Sequence, residues 1–310
     1  MDSRLAAIAV GQGGALSIHD AARVGVSGSD LTRLVRGGIV RRVRRGAYVV
    51  AADYVVADPP ERYRMRVRAV LASRPDGERA SHQSALALFG APLWDVDLTT
   101  VHVAGPVRRV RRSGALALHP AGARPAFVLG GWRCETLPVA LAQLAAGAGI
   151  APGLIAMDWA VHNELCALEA IAEAVAALGP IGAGHARIAA SLIDEVCESV
   201  GETRMRLALV DLGIPFRSQV EIRDAGGLVG RVDFLVDEWL VVEFDGLGKY
   251  AGPDGHRVRS AEKVREARLA DAGYEVVRII WSDLDDLALI RERIGRARIR
   301  ARARHRRVSA

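Results

Sequence analysis

The sequence predicts a multidomain α/β chain of the mixed α+β kind. Three observations support this fold class. The 310 residues suffice for two or three domains. Short helical patterns followed by two β-branched runs open the chain, and near its end the pattern is helix, three strands, helix and strand. The predicted domains are 1–60, a middle α+β region at 61–195 and an αβββαβ domain at 198–290, followed by a basic tail at 291–310.

The composition excludes several classes of protein. Half of the residues are apolar and a quarter are charged, which is typical of a globular chain. A formal charge of +6 favours polyanionic partners, and Lys249 and Lys263 are the only lysines among 42 basic residues. Three widely spaced cysteines argue against a disulfide scaffold and against a zinc site. No signal peptide is readable, so we expect a cytoplasmic, nucleoid-associated protein.

One uncharged stretch, from Thr136 to Met157, resembles a membrane span by hydropathy alone. Glycine and proline interrupt it at Gly147, Gly149, Pro152 and Gly153. These interruptions predict two short buried helices joined by a turn, and no association with a membrane.

The first segment predicts three short helices. Leu5, Ile8 and Ala9 indicate the first, and Ser17 is expected to cap the second. Ser29 or Asp30 is expected to cap the third, which ends at a glycine pair.

A basic hairpin follows these helices, in residues 39–50, with a glycine turn. Helix, turn, helix and basic hairpin is the order of a winged helix, whose third helix enters the major groove while the hairpin lies along the phosphates. Arginine binds phosphate oxygens through a planar fork. We therefore expect six arginines to contact double-stranded DNA: Arg33, Arg36, Arg41, Arg42, Arg44 and Arg45. The alternative is a small helical domain whose arginines are only solvated.

This segment resembles the N-terminal domain of AbiEi-type antitoxins, the transcription-repressing half of a toxin–antitoxin system. The resemblance is carried by Gly14, Leu16-Ser17, Ala21-Ala22, Gly25-Val26, Leu31, Leu34-Val35, Gly38 and the run from Arg44 to Tyr48. It implies DNA and a cognate toxin as partners.

The middle region also resembles the one that accompanies this domain, in Ala80 to Ala85, Val101 to Val103 and the Arg108 to Arg112 hairpin. His82 and Ser84 suggest a base and a nucleophile, but no acid or oxyanion loop is near in sequence. Ser81 or Ser84 is more simply a helix cap. The remaining histidines are scattered without ligand spacing, so we expect structural or solvated roles for His102, His119, His162 and His185.

The third segment predicts the order αβββαβ. The expected helices are Glu198 to Leu212 and Gly255 to Ala272. The expected strands are Gln219 to Arg223, Gly230 to Val236, Trp239 to Phe244 and Tyr274 to Ile280.

Two neighbouring strands of this segment carry acids in apolar surroundings. Because side chains alternate along a strand, Asp233 lies opposite Val232 and Phe234, and Glu243 shares a face with Asp245. Buried carboxylates need a cation, and oxygen ligands favour Mg²⁺ or Mn²⁺. A metal held by Asp233 and Glu243 would support phosphodiester hydrolysis, with Lys249 or Lys263 stabilising the developing charge. The alternative is pairing with arginine, such as Asp233 with Arg231 and Glu243 with Arg278.

The segment resembles the PD-(D/E)xK restriction-endonuclease-like fold, within it the very-short-patch repair endonucleases. The matching residues are Glu202-Thr203-Arg204, Gly230 to Asp233, Val242 to Gly246 and Gly273 to Arg278. The resemblance implies that Asp233 and Glu243 hold metal and that Glu202 adds an acid. Asp245 stands where the family has its lysine, so either Lys249 or Lys263 replaces it, or the domain binds without efficient cleavage.

Two functions follow as expectations. One is a Mg²⁺-dependent endodeoxyribonuclease acting in a toxin–antitoxin, phage-defence or repair context. The other is a non-catalytic DNA-binding transcriptional repressor or antitoxin. The tail from Arg291 to Arg307 carries nine arginines and one acid, which predicts a solvated basic helix or a disordered arm lying on phosphates.

Overall fold

A computed structural model describes residues 1–124, 126–246 and 255–308; for 255–261 and 305–308 it describes the backbone alone. The chain divides into two compact units, Met1–Ile193 and Asp194–Ala310. Each unit contains both helices and strands, so the predicted mixed α+β class is confirmed.

The first unit begins with the predicted helices and hairpin. Its elements are α1 (Ser3–Gly11), β1 (Ala15–Ser17), α2 (Ile18–Arg23), α3 (Gly28–Arg36), β2 (Val40–Arg44) and β3 (Ala47–Val50). The strands form an antiparallel sheet in the order β1-β3-β2. Leu5, Leu16, Leu31 and Val40 pack together beneath it, which buries the apolar stripe of each helix. This is the arrangement of a winged helix.

A mixed sheet follows in the same unit. The elements are α4 (Ala51–Val56), α5 (Pro59–Ala72), β4 (Arg79–Ala80), α6 (His82–Phe89), β5 (Val101–Gly105), β6 (Arg111–Arg112), β7 (Leu116–Pro120), β8 (Phe127–Leu129) and β9 (Trp132–Cys134). The sheet order is β6-β7-β5-β4-β9-β8, and β5 and β7 run parallel. Helix α5 packs against strands of both sheets, and the predicted boundary near residue 60 stays a prediction.

Four helices complete this unit: α7 (Leu137–Ala148), α8 (Ile150–His162), α9 (Leu168–Ala176) and α10 (Ala183–Ser191). The first two confirm the predicted pair of buried helices. A Cβ at Gly153 would lie 2.3 Å from the Cβ of Ala145, so glycine permits their close approach. Within the described part of the chain, no helix combines the length and apolar character needed to cross a bilayer.

The second unit has the predicted order αβββαβ with one further helix. Its elements are α11 (Val200–Asp211), β10 (Phe216–Asp224), β11 (Gly227–Val236), β12 (Leu240–Asp245), α12 (Gly255–Asp271), β13 (Glu275–Ile280), a 3-10 turn (Trp281–Asp283) and α13 (Leu287–Val308). The strands are ordered β10-β11-β12-β13; the last pair is parallel and the others antiparallel. A Cβ at Gly201 would meet the Phe244 ring at 1.9 Å, so this glycine lets α11 pack onto β12.

The basic tail is helical and belongs to the core of the second unit, which corrects the expectation of a solvated helix or a free arm. Ile290, Ile294 and Ala297 of α13 are fully buried against the sheet. The sequence pattern conceals this stripe because the basic face of α13 is wide and its apolar face is narrow. Several tail arginines are already paired with acids: Arg293 with Asp283, Arg298 with Asp237, and Arg300 and Arg304 with Glu275.

Candidate nucleic-acid interface

The third helix of the winged helix is fixed by a capping box. The Ser27 hydroxyl accepts from the Asp30 N–H at 3.2 Å, and the Asp30 carboxylate accepts from the Ser27 N–H at 2.9 Å. The cap is therefore Ser27, two residues before the predicted Ser29, and Asp30 is the acid that completes the box. Ser17 caps α2 as predicted, with Asp20 as its acid.

The hydrogen bonds from Ser27 and the neighbouring Arg33 lower the pKa of Asp30 to about 2. Arg33 forms an exposed ion pair with this carboxylate. Exposed pairs of this kind contribute little, so Arg33 can exchange Asp30 for a phosphate or a base edge.

Three of the six predicted arginines are exposed and have no protein partner among the described residues: Arg36, Arg42 and Arg45. Arg36 is the last residue of α3, Arg42 lies in β2 and Arg45 lies in the hairpin turn. Arg41 is also exposed, with its guanidinium carbon 5.3 Å from the centre of the Tyr54 ring. The third helix and the hairpin therefore both carry exposed arginines, as the winged-helix interpretation predicts.

Arg44 differs from the other hairpin arginines because its side chain donates hydrogen bonds within the protein. Its Nη1 donates to the backbone carbonyl of Ser113 at 2.6 Å, and its Nη2 lies 3.5 Å from the Ser113 hydroxyl. Ser113 follows the short strand β6. The hairpin of the winged helix is thus attached to the segment 106–115 of the middle region.

That segment carries a second group of exposed arginines: Arg108, Arg109, Arg111 and Arg112. Because Arg44 joins the two hairpins, these arginines extend the basic surface beyond residue 50. The sequence indicates this hairpin but not its role. The two hairpins are some sixty residues apart in the chain, so their contact cannot be predicted from the sequence pattern.

The predicted metal-binding acids of the second unit are largely paired. Glu243 is buried and forms ion pairs with Arg265 of α12 and, at 3.8 Å, with Arg278 of β13. One Asp233 oxygen accepts from the Phe244 N–H at 2.8 Å. Arg231, the expected partner of Asp233, pairs with Glu198 instead. The arginine alternative therefore describes Glu243 correctly.

Glu202 has a local structural role. It accepts from the Ser199 hydroxyl at 2.7 Å, from the Glu198 N–H at 3.1 Å and from the Gln219 amide at 2.9 Å. These bonds fix the first turn of α11 and connect it to β10. With Asp233, Glu202 lines a narrow recess between α11 and the sheet.

The two lysines proposed to stabilise the developing charge are not found beside these acids in the described residues. Lys263 is exposed on α12, Asp245 ends β12 half-buried, and Lys249 lies outside the described residues. Across the part of the chain that the structure describes, no three carboxylates bring ligand oxygens within 4.8 Å of one another. As placed, this donor set does not fit Mg²⁺, because guanidinium groups neutralise Glu243.

A cluster that the sequence analysis dismissed lies in the middle region. His82, His102 and His119 each bring one ring nitrogen within 4.8 Å of the other two. Burial lowers the pKa of each ring, that of His102 to about 4, and neighbouring histidines and Arg112 contribute to the lowering. The signal that could have predicted the cluster is the pairing of strands, because His102 and His119 lie on the neighbouring parallel strands β5 and β7.

Ser84 does not serve His82 as a nucleophile. Its hydroxyl lies 2.6 Å from the Tyr63 hydroxyl and accepts from the His102 N–H at 2.7 Å. Ser81 occupies the cap position of α6, but its hydroxyl makes no cap hydrogen bond, which corrects that expectation. The His82 N–H is instead bound by the Gln143 side chain of α7 at 3.0 Å.

Comparison with known proteins supports the N-terminal part. The family model described as a transcriptional regulator, AbiEi antitoxin, matches residues 3–51, which span α1 to the end of β3. No curated protein matches the chain. The match lies wholly within the winged helix, and the endonuclease resemblance of residues 198–290 stays a prediction.

Proposed function

We propose that the chain is a DNA-binding transcriptional regulator of the AbiEi antitoxin kind, which binds duplex DNA through its winged helix. The observation that carries the proposal is the coincidence of the family match with three exposed arginines, Arg36, Arg42 and Arg45, that have no partner among the residues the structure describes. A guanidinium that has no protein partner is free to bind a phosphate as a fork.

In the proposed complex, α3 enters the major groove. Its exposed Ser29, Arg33 and Arg36 are the side chains placed to reach base edges. Arg42 and Arg45 contact the phosphates beside the groove, and Arg109 and Arg111 extend the contact along the backbone. Such a division gives the helix the sequence preference and the hairpins the affinity.

The experiment that tests the regulator is selection of duplexes from a random library by the full-length protein. A regulator enriches one site and binds it roughly 10³-fold or more tightly than unrelated duplex. Failure to enrich any sequence, with binding retained, would contradict a regulatory role while leaving DNA binding intact. A cognate toxin remains an expectation from the family, and co-purification with the product of the adjacent gene tests it.

A second candidate function is Mg²⁺-dependent cleavage of DNA by the second unit in a cytoplasmic, nucleoid-associated setting. One observation favours it: Asp233 and Glu243 lie on the neighbouring strands β11 and β12, and Glu202 lines a recess with Asp233. Against it stand Arg265 and Arg278, which occupy the space beside Glu243. A metal bound there requires Arg265 to move away from the carboxylate.

Nicking of supercoiled plasmid in Mg²⁺ or Mn²⁺ tests this candidate. The parent is compared with Asp233→Asn, Lys249→Ala and Lys263→Ala, with DNA binding measured for each. Cleavage that Asp233→Asn abolishes without loss of binding would establish a nuclease. If the parent does not cleave the plasmid, DNA binding is the only function supported.

A further inference from the structure

The three histidines of the middle region converge from different elements. His82 begins α6, His102 lies in β5 and His119 lies in β7. Their ring centres are 4.1 to 5.2 Å apart, and His102 Nδ1 lies 3.0 Å from His119 Nε2. All three side chains are half-buried.

The surrounding structure holds these rings in place. His82 adopts a positive φ of 51°, a conformation that costs free energy in a residue with a Cβ, and Gln143 binds its N–H. His82 Nδ1 lies 3.1 Å from the Ser81 hydroxyl, and His102 Nε2 lies 3.0 Å from the Gln83 amide. Each of these two rings therefore has a polar partner on one nitrogen, and for His102 that nitrogen is the one opposite its contact with His119.

Hydrogen bonding within the cluster accounts for only part of this arrangement. The contact between His102 and His119 can be a single N–H···N bond. Among the described residues, however, Nε2 of His82 has no hydrogen-bond partner, although its ring lies closest to that of His119. A third imidazole with an unused lone pair is unexplained by a two-ring hydrogen bond.

The chemistry of the cluster suits a transition-metal ion. Metal ligation needs the neutral imidazole, which is the commonest metal ligand in proteins. Zn–N bonds of about 2.0–2.1 Å at tetrahedral angles place ligand nitrogens about 3.3 Å apart, close to the separation of His102 and His119. The charged groups that act on the cluster are Arg112, Arg124 and Asp97.

We propose that His82, His102 and His119 bind one Zn²⁺ ion through three imidazole nitrogens, with water as the fourth ligand. His82 binds through Nε2 and donates its Nδ1–H to Ser81. His102 binds through Nδ1; its Nε2–H then donates to the Gln83 carbonyl once that amide turns over, which exchanges the 3.3 Å bond from Gln83 Nε2 to the Asp97 carbonyl for this one. An acceptor on the outer nitrogen is the usual support for a zinc-bound histidine. The ion connects α6 to β5 and β7.

The test uses the full-length protein, stripped with chelator and dialysed against metal-free buffer. Zn²⁺ is added with calorimetric and thermal-shift detection, and Co²⁺ is added with visible spectroscopy as a reporter of four-coordinate nitrogen ligation. The variants are His82→Asn, which tolerates the positive φ, and His119→Gln. The matched controls are His19→Gln and His185→Gln, exposed histidines elsewhere in the same unit.

The proposal predicts one Zn²⁺ per parent chain, a rise of several degrees in Tm, and intense visible Co²⁺ bands. Both cluster variants lose at least tenfold in affinity, and both controls keep it. Retention of Zn²⁺ by His82→Asn and His119→Gln would overturn the site. A parent that binds neither ion would also overturn it, even where a cluster variant fails to fold, and would leave a hydrogen-bonded histidine stack.

Discussion

Arg44 of the wing hairpin donates to the backbone carbonyl of Ser113 at 2.6 Å. This contact joins a residue inside the family match to one more than sixty positions beyond it. The exposed arginines of the two hairpins therefore belong to one surface, and Arg44 itself has a structural partner.

Arg44→Ala should weaken DNA binding, but it should flatten the plot of log affinity against log salt by less than the loss of a phosphate contact does. Loss of the Ser113 contact frees the hairpin to move, so affinity falls, but no counterion-releasing contact is removed. Fluorescence anisotropy over a series of salt concentrations measures both quantities. A slope that flattens by about one unit would make Arg44 a phosphate ligand instead.

The hairpin of the middle region should contribute to the same interface. In Arg109→Ala/Arg111→Ala, the plot of log affinity against log salt should flatten by up to about two units, because each phosphate contact releases about one counterion. Arg187→Ala, an exposed arginine of α10 without a partner among the described residues, is the control. Unchanged binding in the double variant would confine the interface to residues 1–60.

The ion pairs of Glu243 should stabilise the second unit. Glu243→Gln removes one of the two carboxylates that pair with the half-buried guanidinium of Arg265, the other being Glu262 at 3.1 Å, so the free energy of unfolding should fall by about 1–3 kcal/mol. Chemical denaturation of Glu243→Gln, Arg265→Gln and the double variant measures the coupling. Additive losses would show that the two side chains act independently and that the carboxylate is available to a metal.

The capping box of α3 should make the winged helix sensitive to acid. Ser27 and Arg33 lower the folded-state pKa of Asp30 from its ordinary 3.8 to about 2. Stability from this carboxylate is therefore fully present above pH 3.8 and is lost as the pH falls toward 2. Asp30→Asn should remove that part of the pH dependence in thermal melts. An Asp30→Asn protein with the same dependence as the parent over this interval would contradict the assignment.

Local patterns predicted much of the fold. Alternation along Gly230 to Val236 and the glycine after α11 located the second unit's strands, and Ser17 located α2, because these signals depend on near neighbours. The partners of Glu243 and the neighbours of His82 depend on which strands lie side by side, so no local pattern reveals them. The tail follows the same rule: Ile290, Ile294 and Ala297 bury one face of α13 only because a sheet lies against that face.

In the proposed complex, the winged helix binds DNA through Arg36, Arg42 and Arg45, which have no partner in the described part of the protein. The most direct measurement is the salt dependence of duplex binding by the parent and by Arg36→Ala/Arg42→Ala/Arg45→Ala, with folding checked by Tm. We expect an unchanged Tm, a large loss of affinity, and a plot of log affinity against log salt that is flatter by about three units. Equal affinity and equal slope for the two proteins would contradict it.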